Sequence, residues 1–517
     1  MKTIFKYSLP VLSSLLLLAG CTGSDTASKT DTTSSSAIHA DIDYNQLVGI
    51  ELSDDKIFVN GEPISNDTQS GIYAANDIVF YLEGQDFTYG EGGKDDAHSQ
   101  AEADAHTVVH ITEPGTYTLS GSLSAGQIAV DLGEDAEDDP NAVVNLILNN
   151  ADITCSVAPA IIFYNVYECG DSDVENASKD VDTSKAGANV VLADDSTNTV
   201  NGAYVARIYE SYELNDAGTE VVESEKLHKY DGAFYSKMSM NIYGEDKGNG
   251  ILNINASNEG LDSELHLTIN SGNINIASGN DGINTNEDGV SVTTLNGGTL
   301  NILVTGGTGE GDGIDSNGWL VINGGVLTSQ SCSISGDAGI DSDMGIHING
   351  GTVLAGGNML DHISESRQTY AVFQFLQPQK GGNTYALKTT TGDVVAEYLP
   401  QNDFSYLIFS SGQLASGNYT LWKDDTQLSV IASEPGTPGT DMGKKPAGPK
   451  PEGMEMPKHA EVPEMPKDGE FPQKQPPEMS EGERPSNDSI MDFASNAQPE
   501  FEISSGENYF MVISSAS

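Results

Sequence analysis

The sequence predicts an all-β protein whose main body is a parallel β-helix, a solenoid in which short strands stack coil upon coil. Three observations predict this fold. A Gly-Ile-Asp-Ser-like motif occurs four times, at spacings of 22, 31 and 26 residues. Each copy is followed by a short strand-like run and a Gly-containing turn. No long amphipathic helical pattern interrupts the region.

The four copies of the motif share a Gly, an aliphatic residue and two oxygen-bearing side chains two positions apart. They are Gly260-Leu-Asp262-Ser-Glu264, Gly282-Ile-Asn284-Thr-Asn286, Gly313-Ile-Asp315-Ser-Asn317 and Gly339-Ile-Asp341-Ser-Asp343. A repeat of this length with two or three short strands matches one coil, which adds about 4.8 Å of height. We expect the aliphatic residue to point inward and the polar residues to lie in the turn. A Gly/Asp-rich β-sandwich is the alternative fold.

A weaker copy of the motif precedes these four. It is predicted to begin at Asp231-Gly232-Ala233 and to reach Gly244.

The charge balance restricts the partners of the protein. The chain of 517 residues has 77 Asp and Glu against 23 Lys and Arg, a formal net charge of −54. Phosphate contacts need clustered basic residues, so this composition argues against nucleic-acid binding. It favours an extracytoplasmic surface and divalent cations as partners.

The N-terminus predicts export and a lipid anchor. Two basic residues, Lys2 and Lys6, precede an apolar run too short to be a mature membrane span. The run ends in Leu18-Ala19-Gly20-Cys21, which resembles a bacterial lipobox. That resemblance implies a signal peptide over residues 1–20, lipid attachment at Cys21, and a lipid-anchored, extracytoplasmic place in the bacterial cell envelope. The alternative is an ordinary secretion signal with a chance cysteine.

Composition divides the rest of the chain. Residues 21–40 are predicted to be a flexible tether, 41–369 the β-helix and 370–433 a small C-terminal β cap. Of the 20 prolines, 13 lie between residues 434 and 500, which predicts a disordered Pro/Met/Glu-rich segment. Residues 501–517 turn apolar again and are predicted to include a returning strand.

The remaining cysteines form neither a disulfide framework nor a zinc pattern. They are Cys155, Cys169 and Cys332. A bond between Cys155 and Cys169 and free buried thiols are both compatible with the sequence.

The sequence resembles a bacterial family of carbohydrate-binding domain-containing proteins. The resemblance lies in Gly115-Thr-Tyr-Thr-Leu-Ser-Gly121, Gly126-Gln-Ile-Ala-Val-Asp131, Leu146 to Ile153 and the Gly-Ile-Asp-Ser repeats with their Ile-Asn-Gly-Gly turns. It implies a right-handed, pectate-lyase-like parallel β-helix, calcium sites on the coils, and binding of plant cell-wall polysaccharide, including acidic pectic chains. An acidic insertion over residues 209–229 departs from the family pattern.

The residues themselves also point to a cation. Residues 248–366 contain 14 Asp and Glu and no Lys or Arg. Side chains at i and i+2 of an extended chain project the same way, so each motif presents a pair of oxygens, and stacked coils bring the pairs together. Calcium takes 6–8 such oxygens. The predicted ligands are Asp262, Glu264, Asp281, Asn284, Asn286, Asp288, Asp312, Asp315, Asn317, Asp337, Asp341 and Asp343. The alternative is that these side chains only close turns.

Three classes of function remain open at this point. The first is a tethered carbohydrate-binding module, for which Trp319 and Tyr235 are the predicted sugar-stacking residues. The second is a lyase or hydrolase acting on pectate, which the sequence supports weakly because the repeats lack a basic residue. The third is a structural or adhesive surface β-helix that binds other proteins.

Overall fold

The structure is a computed structural model that describes residues 46–228, 230–364, 366–434 and 496–513. The predicted signal peptide, Cys21, the tether and nearly all of the Pro-rich segment lie outside the described residues. The strands in chain order are β1 Leu47–Leu52, β2 Phe58–Val59, β3 Glu62–Pro63, β4 Ile72–Ala75, β5 Gly90–Glu91, β6 Thr107–Ile111, β7 Gly115–Leu123, β8 Gly126–Val130, β9 Val144–Thr154, β10 Ile161–Phe163, β11 Ala188–Leu192, β12 Thr197–Gly202, β13 Arg207–Leu214, β14 Val221–His228, β15 Gly232–Ser236, β16 Met240–Gly244, β17 Ile251–Ala256 and β18 Glu259–Ser263.

The second half of the described chain continues in the same way. Its strands are β19 Leu267–Ile269, β20 Asn273–Ser278, β21 Ile283–Thr285, β22 Val292–Leu295, β23 Thr299–Val304, β24 Ile314–Ser316, β25 Trp319–Ile322, β26 Val326–Gln330, β27 Gly345–Ile348, β28 Thr352–Gly357, β29 Tyr370–Gln379, β30 Tyr385–Thr389, β31 Val394–Tyr398, β32 Phe404–Ser411, β33 Gly417–Lys423, β34 Thr426–Ser433, β35 Phe501–Ile503 and β36 Glu507–Ile513. The helix α1 spans Gln100–Asp104 and a 3₁₀ turn spans Glu134–Asp138. The prediction of an all-β protein is confirmed.

Successive repeats pair strand on strand, in parallel. One ladder runs β9, β11, β16, β19, β22, β25, β27. A second runs β9, β12, β17, β20, β23, β26, β28. The third runs β6, β8, β10, β15, β18, β21, β24. A repeat such as β18, β19, β20 therefore gives one strand to each ladder.

The aliphatic residue of each motif lies in the core, as expected. Leu261, Ile283 and Ile314 stand opposite one another in consecutive strands and are at most 1% exposed. The Gly before it is required by close approach. A Cβ on Gly282 would lie 2.5 Å from the carbonyl oxygen of Gly313 and 2.2 Å from a methyl carbon of Ile302. The glycines that end the intervening turns have a different role: Gly298, for example, has a φ of 79°, which favours glycine.

The weaker copy of the motif forms β15, which pairs with β18 of the next copy. Phe234 stands opposite Leu261, and Tyr235 stands opposite Asp262. Phe234, which is fully buried, therefore takes the inward position in this copy. Its ring stacks on that of Phe163 at 6.4 Å.

Antiparallel strands follow the parallel ladders at their C-terminal end. β32 pairs antiparallel with β28, and β29 lies between β32 and β36. These strands enclose a second apolar core that is rich in aromatic rings, including Phe373, Phe409 and Phe510. The acidic insertion forms an antiparallel hairpin of β13 and β14, which pairs with β5. Among the described residues, no helix has the length and apolar character needed to cross a membrane.

Candidate functional site

A polar groove of about 650 Å³ runs across one ladder of the parallel strands. Its floor is formed by five consecutive strands, β16, β19, β22, β25 and β27. Each repeat contributes two lining side chains, two positions apart, one within the strand and one near or just beyond its end, so the floor has two rows. The first row is Asn241, Thr268, Thr294, Val321 and His347. The second row is Tyr243, Asn270, Asn296, Asn323 and Asn349.

The second row contains a hydrogen-bonded ladder of asparagines. The Nδ2 of Asn296 donates to Oδ1 of Asn270 at 2.9 Å, and Asn323 donates to Asn296 at the same distance. Asn349 donates to Asn323, also at 2.9 Å. An amide has two donor hydrogens and two acceptor lone pairs, so each link leaves groups for a further partner. The floor is therefore rigid and still able to bind hydroxyl groups.

An extended segment, residues 179–184, forms one wall of the groove. At one end of this wall, Thr183 Oγ1 donates to Asn241 Oδ1 at 2.7 Å and can accept from the Thr268 hydroxyl, whose Oγ1 lies 2.8 Å away. At the other end, Lys179 lies with His347 and Arg367 in the groove lining. We call Lys179, His347 and Arg367 the cationic end. The groove thus has a neutral floor with basic residues at one end.

The predicted calcium ligands form a separate feature, which we call the acid stack. Asp262, Asn284 and Asp315 stand opposite one another in β18, β21 and β24. The backbone N of Asp341 donates to the carbonyl of Ile314 at 2.7 Å and adds the next rung. The residues two positions on, Glu264, Asn286, Asn317 and Asp343, follow in the same order through backbone bonds of 3.0 Å. The stacking predicted from the spacing of the motifs is thus present.

Neighbouring rungs of the acid stack are linked by hydrogen bonds. Asn284 Nδ2 donates to Glu259 Oε1 at 3.1 Å, and Asn286 Nδ2 donates to Asp262 Oδ1. The acids before the motif Gly accept from backbone: Asp312 N donates to Asp281 Oδ1 at 2.6 Å. Asp337 accepts from the N of Gly311, also at 2.6 Å. These hydrogen bonds close turns, which is the role that the sequence offers as the alternative to metal binding.

Electrostatics at the acid stack disfavour ionised carboxyl groups. Burial, and then the charge of Asp315, raise the pKa of Asp281 to about 7 from its ordinary 3.8. Burial and the carboxyl of Asp361 raise the pKa of Asp341 to about 8. The pKa of Asp312 is raised well above its usual range by burial and by Asp341. A proton or a cation at this place therefore stabilises the fold.

The donor set of the acid stack fits a hard cation in its chemistry. All of its donors are carboxyl or amide oxygens, and Oδ1 of Asn284 is buried without a hydrogen-bond partner. Within the described parts of the chain, however, no three His, Cys, Asp or Glu side chains come together in a way that could hold a metal ion. Amide or backbone oxygens and water would have to complete the coordination of calcium here.

The other predicted site residues are placed less favourably. Tyr235 is 2% exposed, packs edge-on against Tyr230, and donates its hydroxyl to Glu264 Oε1 at 2.9 Å. Its ring offers no face to a sugar, so the prediction that Tyr235 binds carbohydrate is incompatible with the structure. Trp319 begins β25 and is partly exposed, which leaves its predicted role open. Asp288 is exposed in a turn beyond β21.

No pattern in the sequence predicts the groove. The Asn-Gly-Gly sequences predict turns, but their asparagines, Asn296, Asn323 and Asn349, also lie in the second row of the floor. Lys179 and Arg367 lie outside the repeats and belong to no motif. The three cysteines in the described residues carry free thiols, with Cys155 and Cys332 buried.

The family comparison matches the region that holds both features. A family model described as carbohydrate-binding domain-containing protein matches residues 105–372, just over half of the chain. A carbohydrate-binding domain-containing protein of Acetivibrio thermocellus is 31% identical over 169 residues, which cover 32% of this chain and 44% of that protein. A solved structure of a polysaccharide lyase-like protein from C. thermocellum, a gadolinium derivative, is 20% identical with a TM-score of 0.34, over 62% of this chain and 93% of that one.

Proposed function

The chain belongs to the family of carbohydrate-binding domain-containing proteins, and from this premise we propose that it is a cell-surface lipoprotein that binds polysaccharide. The proposed ligands are acidic plant cell-wall (pectic) chains, bound together with calcium. The observation that carries the proposal is the groove, whose floor repeats amide and hydroxyl groups on five consecutive strands. Sugar hydroxyls both donate and accept hydrogen bonds, as these groups do.

The repeat of the floor matches an extended sugar chain. We propose that the three parallel ladders are the faces of a right-handed parallel β-helix, so that rungs follow one another at about 4.8 Å along its axis. A pyranose unit lengthens an extended polysaccharide by a distance of the same order. A chain lying along the axis would therefore place successive sugars over successive strands, and the five strands would accept about five sugars.

Calcium is assigned to the acid stack. Asp262, Asn284, Asp315 and Asp341 would hold it, with the paired residues two positions on as further oxygen donors. Calcium there supplies positive charge to buried carboxyl groups and free coordination positions for a carboxylate. The raised pKa values of Asp281 and Asp341 support this assignment, because they mark a place where negative charge is not compensated.

The proposed location rests on the N-terminal sequence alone. Cys21 would carry the lipid and hold the protein in the bacterial envelope, outside the cytoplasm.

A glycan array, run on the mature chain with calcium and with a chelator, tests the proposed function. We expect binding to acidic polysaccharides, weakened by chelation, and titration with polygalacturonate should show the same dependence. Asn296→Ala with Asn323→Ala should weaken binding in both conditions, because it removes all three links of the asparagine ladder. Asp315→Asn with Asp341→Asn should remove only the calcium dependence.

An exposed asparagine outside the groove provides the control. Asn418→Ala, in β33, should bind as the unmodified protein does. Absence of binding to every polysaccharide, in both conditions, would contradict the proposed function. Equal loss in the Asn418 and groove variants would contradict the assignment of the groove.

A further inference from the structure

We propose that the cationic end of the groove is a subsite for the carboxylate of an acidic sugar, and that Asp180 occupies this subsite in the free protein. The inference rests on the proposed function. It adds the residues that would select an acidic sugar, and it names Asp180 as the side chain that competes with that sugar. It concerns Lys179, Asp180, His347 and Arg367, which lie together in the groove lining.

The three basic residues come from separate parts of the chain. His347 is on β27, the last strand of the floor. The segment around Arg367 is bonded to the same strand: Ile348 N donates to Ser366 Oγ at 3.1 Å, and Gln368 N donates to Ile348 O at 3.1 Å. Lys179 is on the wall segment, and its neighbour Asp180 is within electrostatic range of both Arg367 and His347. They converge on one end of the groove.

Their position contrasts with the rest of the molecule. The chain has a net charge of −54, and the ten floor residues include no Asp, Glu, Lys or Arg. Guanidinium and ammonium groups bind carboxylates through charge-assisted hydrogen bonds, and the guanidinium can make two at once. The basic residues at this end can therefore bind the carboxylate of one acidic sugar, and the adjoining row of amides can bind the hydroxyls of the sugars that follow it.

Asp180 shows that a carboxylate is stable at this end. Its two carboxyl oxygens lie 2.8 and 2.9 Å from Lys179 Nζ. The hydrogen bond and charge of Lys179, and more weakly the charges of Arg367 and His347, lower the pKa of Asp180. Its side chain is nonetheless 78% exposed, so it can turn into solvent without disturbing the fold. A sugar carboxylate would compete with it for Lys179 and would also contact Arg367.

Two variants should move affinity in opposite directions. Asp180→Asn removes the competitor, and because exposed ion pairs are weak we expect binding of oligogalacturonate to tighten about two- to fivefold. Arg367→Gln removes a charged donor and should weaken binding about tenfold. Neither should change binding of the fully methyl-esterified oligomer, which has the same hydroxyls and no carboxylate.

Isothermal titration of the full chain with both oligomers measures these effects. Arg207→Gln is the matched control, since Arg207 forms a comparable exposed ion pair with Glu91 at 3.0 Å outside the groove. Two results would overturn the subsite while leaving polysaccharide binding in place. In the first, both oligomers bind the unmodified protein with equal affinity. In the second, Asp180→Asn and Arg367→Gln change the affinity for both oligomers alike. Binding of neither oligomer would overturn the subsite and the proposed function together.

Discussion

Raising the pH from 5 to 7.5 in the presence of a chelator should destabilise the folded protein through the acid stack. Burial and neighbouring carboxyl groups raise the pKa of Asp281 to about 7, whereas in the unfolded chain it returns to about 3.8. Between these values the folded state keeps the proton that the unfolded state has lost. Stability is therefore greatest at low pH in this range and falls as the pH rises through 7.

The size of this loss of stability follows from the difference between the pKa values of Asp281 in the folded and unfolded states. A separation from 3.8 to about 7 corresponds to about 4 kcal/mol for one carboxyl group once both states are ionised. Of this, about 2 to 3 kcal/mol falls between pH 5 and 7.5. For a protein of this size we expect the melting midpoint to fall by several degrees.

Differential scanning calorimetry of the chelated protein at several pH values measures the fall. Asp281→Asn should reduce the fall by the share of this one carboxyl group and leave the shares of Asp312 and Asp341, because the amide keeps an acceptor for Asp312 N and carries no charge at any pH. Asp288→Asn, at an exposed carboxyl in the same region, should leave it unchanged. Saturating calcium should reduce the fall of the melting midpoint with pH, because calcium would replace the proton in neutralising the buried carboxyl groups. The reasoning is refuted if Asp281→Asn retains the full pH dependence of the unmodified protein.

Two further predictions concern the core and the anchor. Ile283→Ala removes a fully buried side chain stacked between Leu261 and Ile314. Chemical denaturation should therefore show that the free energy of unfolding falls by about 2–5 kcal/mol. As a control, Val326→Ala, at a residue 39% exposed in β26, should change it by less than about 0.5 kcal/mol. Cys21→Ala should release the protein from membranes, measured by fractionation after a high-salt wash; a variant that stays with the membranes would contradict the lipid anchor.

Local pattern determined much of the fold. The strand-like runs predicted after the motifs are strands, such as β23 Thr299–Val304 and β27 Gly345–Ile348. The register of the acid stack also follows from sequence, because each motif repeats the same offset between its Gly, its aliphatic residue and its oxygen pair. A repeated coil pairs only with its neighbours, so one period specifies the stacking of every copy.

The tertiary structure decided what the period does not encode. Tyr235 looked like an exposed aromatic but lies in the core, since the register of β15 against β18 turns it toward Glu264. Lys179 and Arg367 belong to irregular segments, whose paths depend on bonds such as Thr183 to Asn241 and Ser366 to Ile348. Such bonds join residues far apart in sequence and leave no periodic signal. The acid stack was therefore predictable from the chain itself, whereas the groove and its cationic end required the folded molecule.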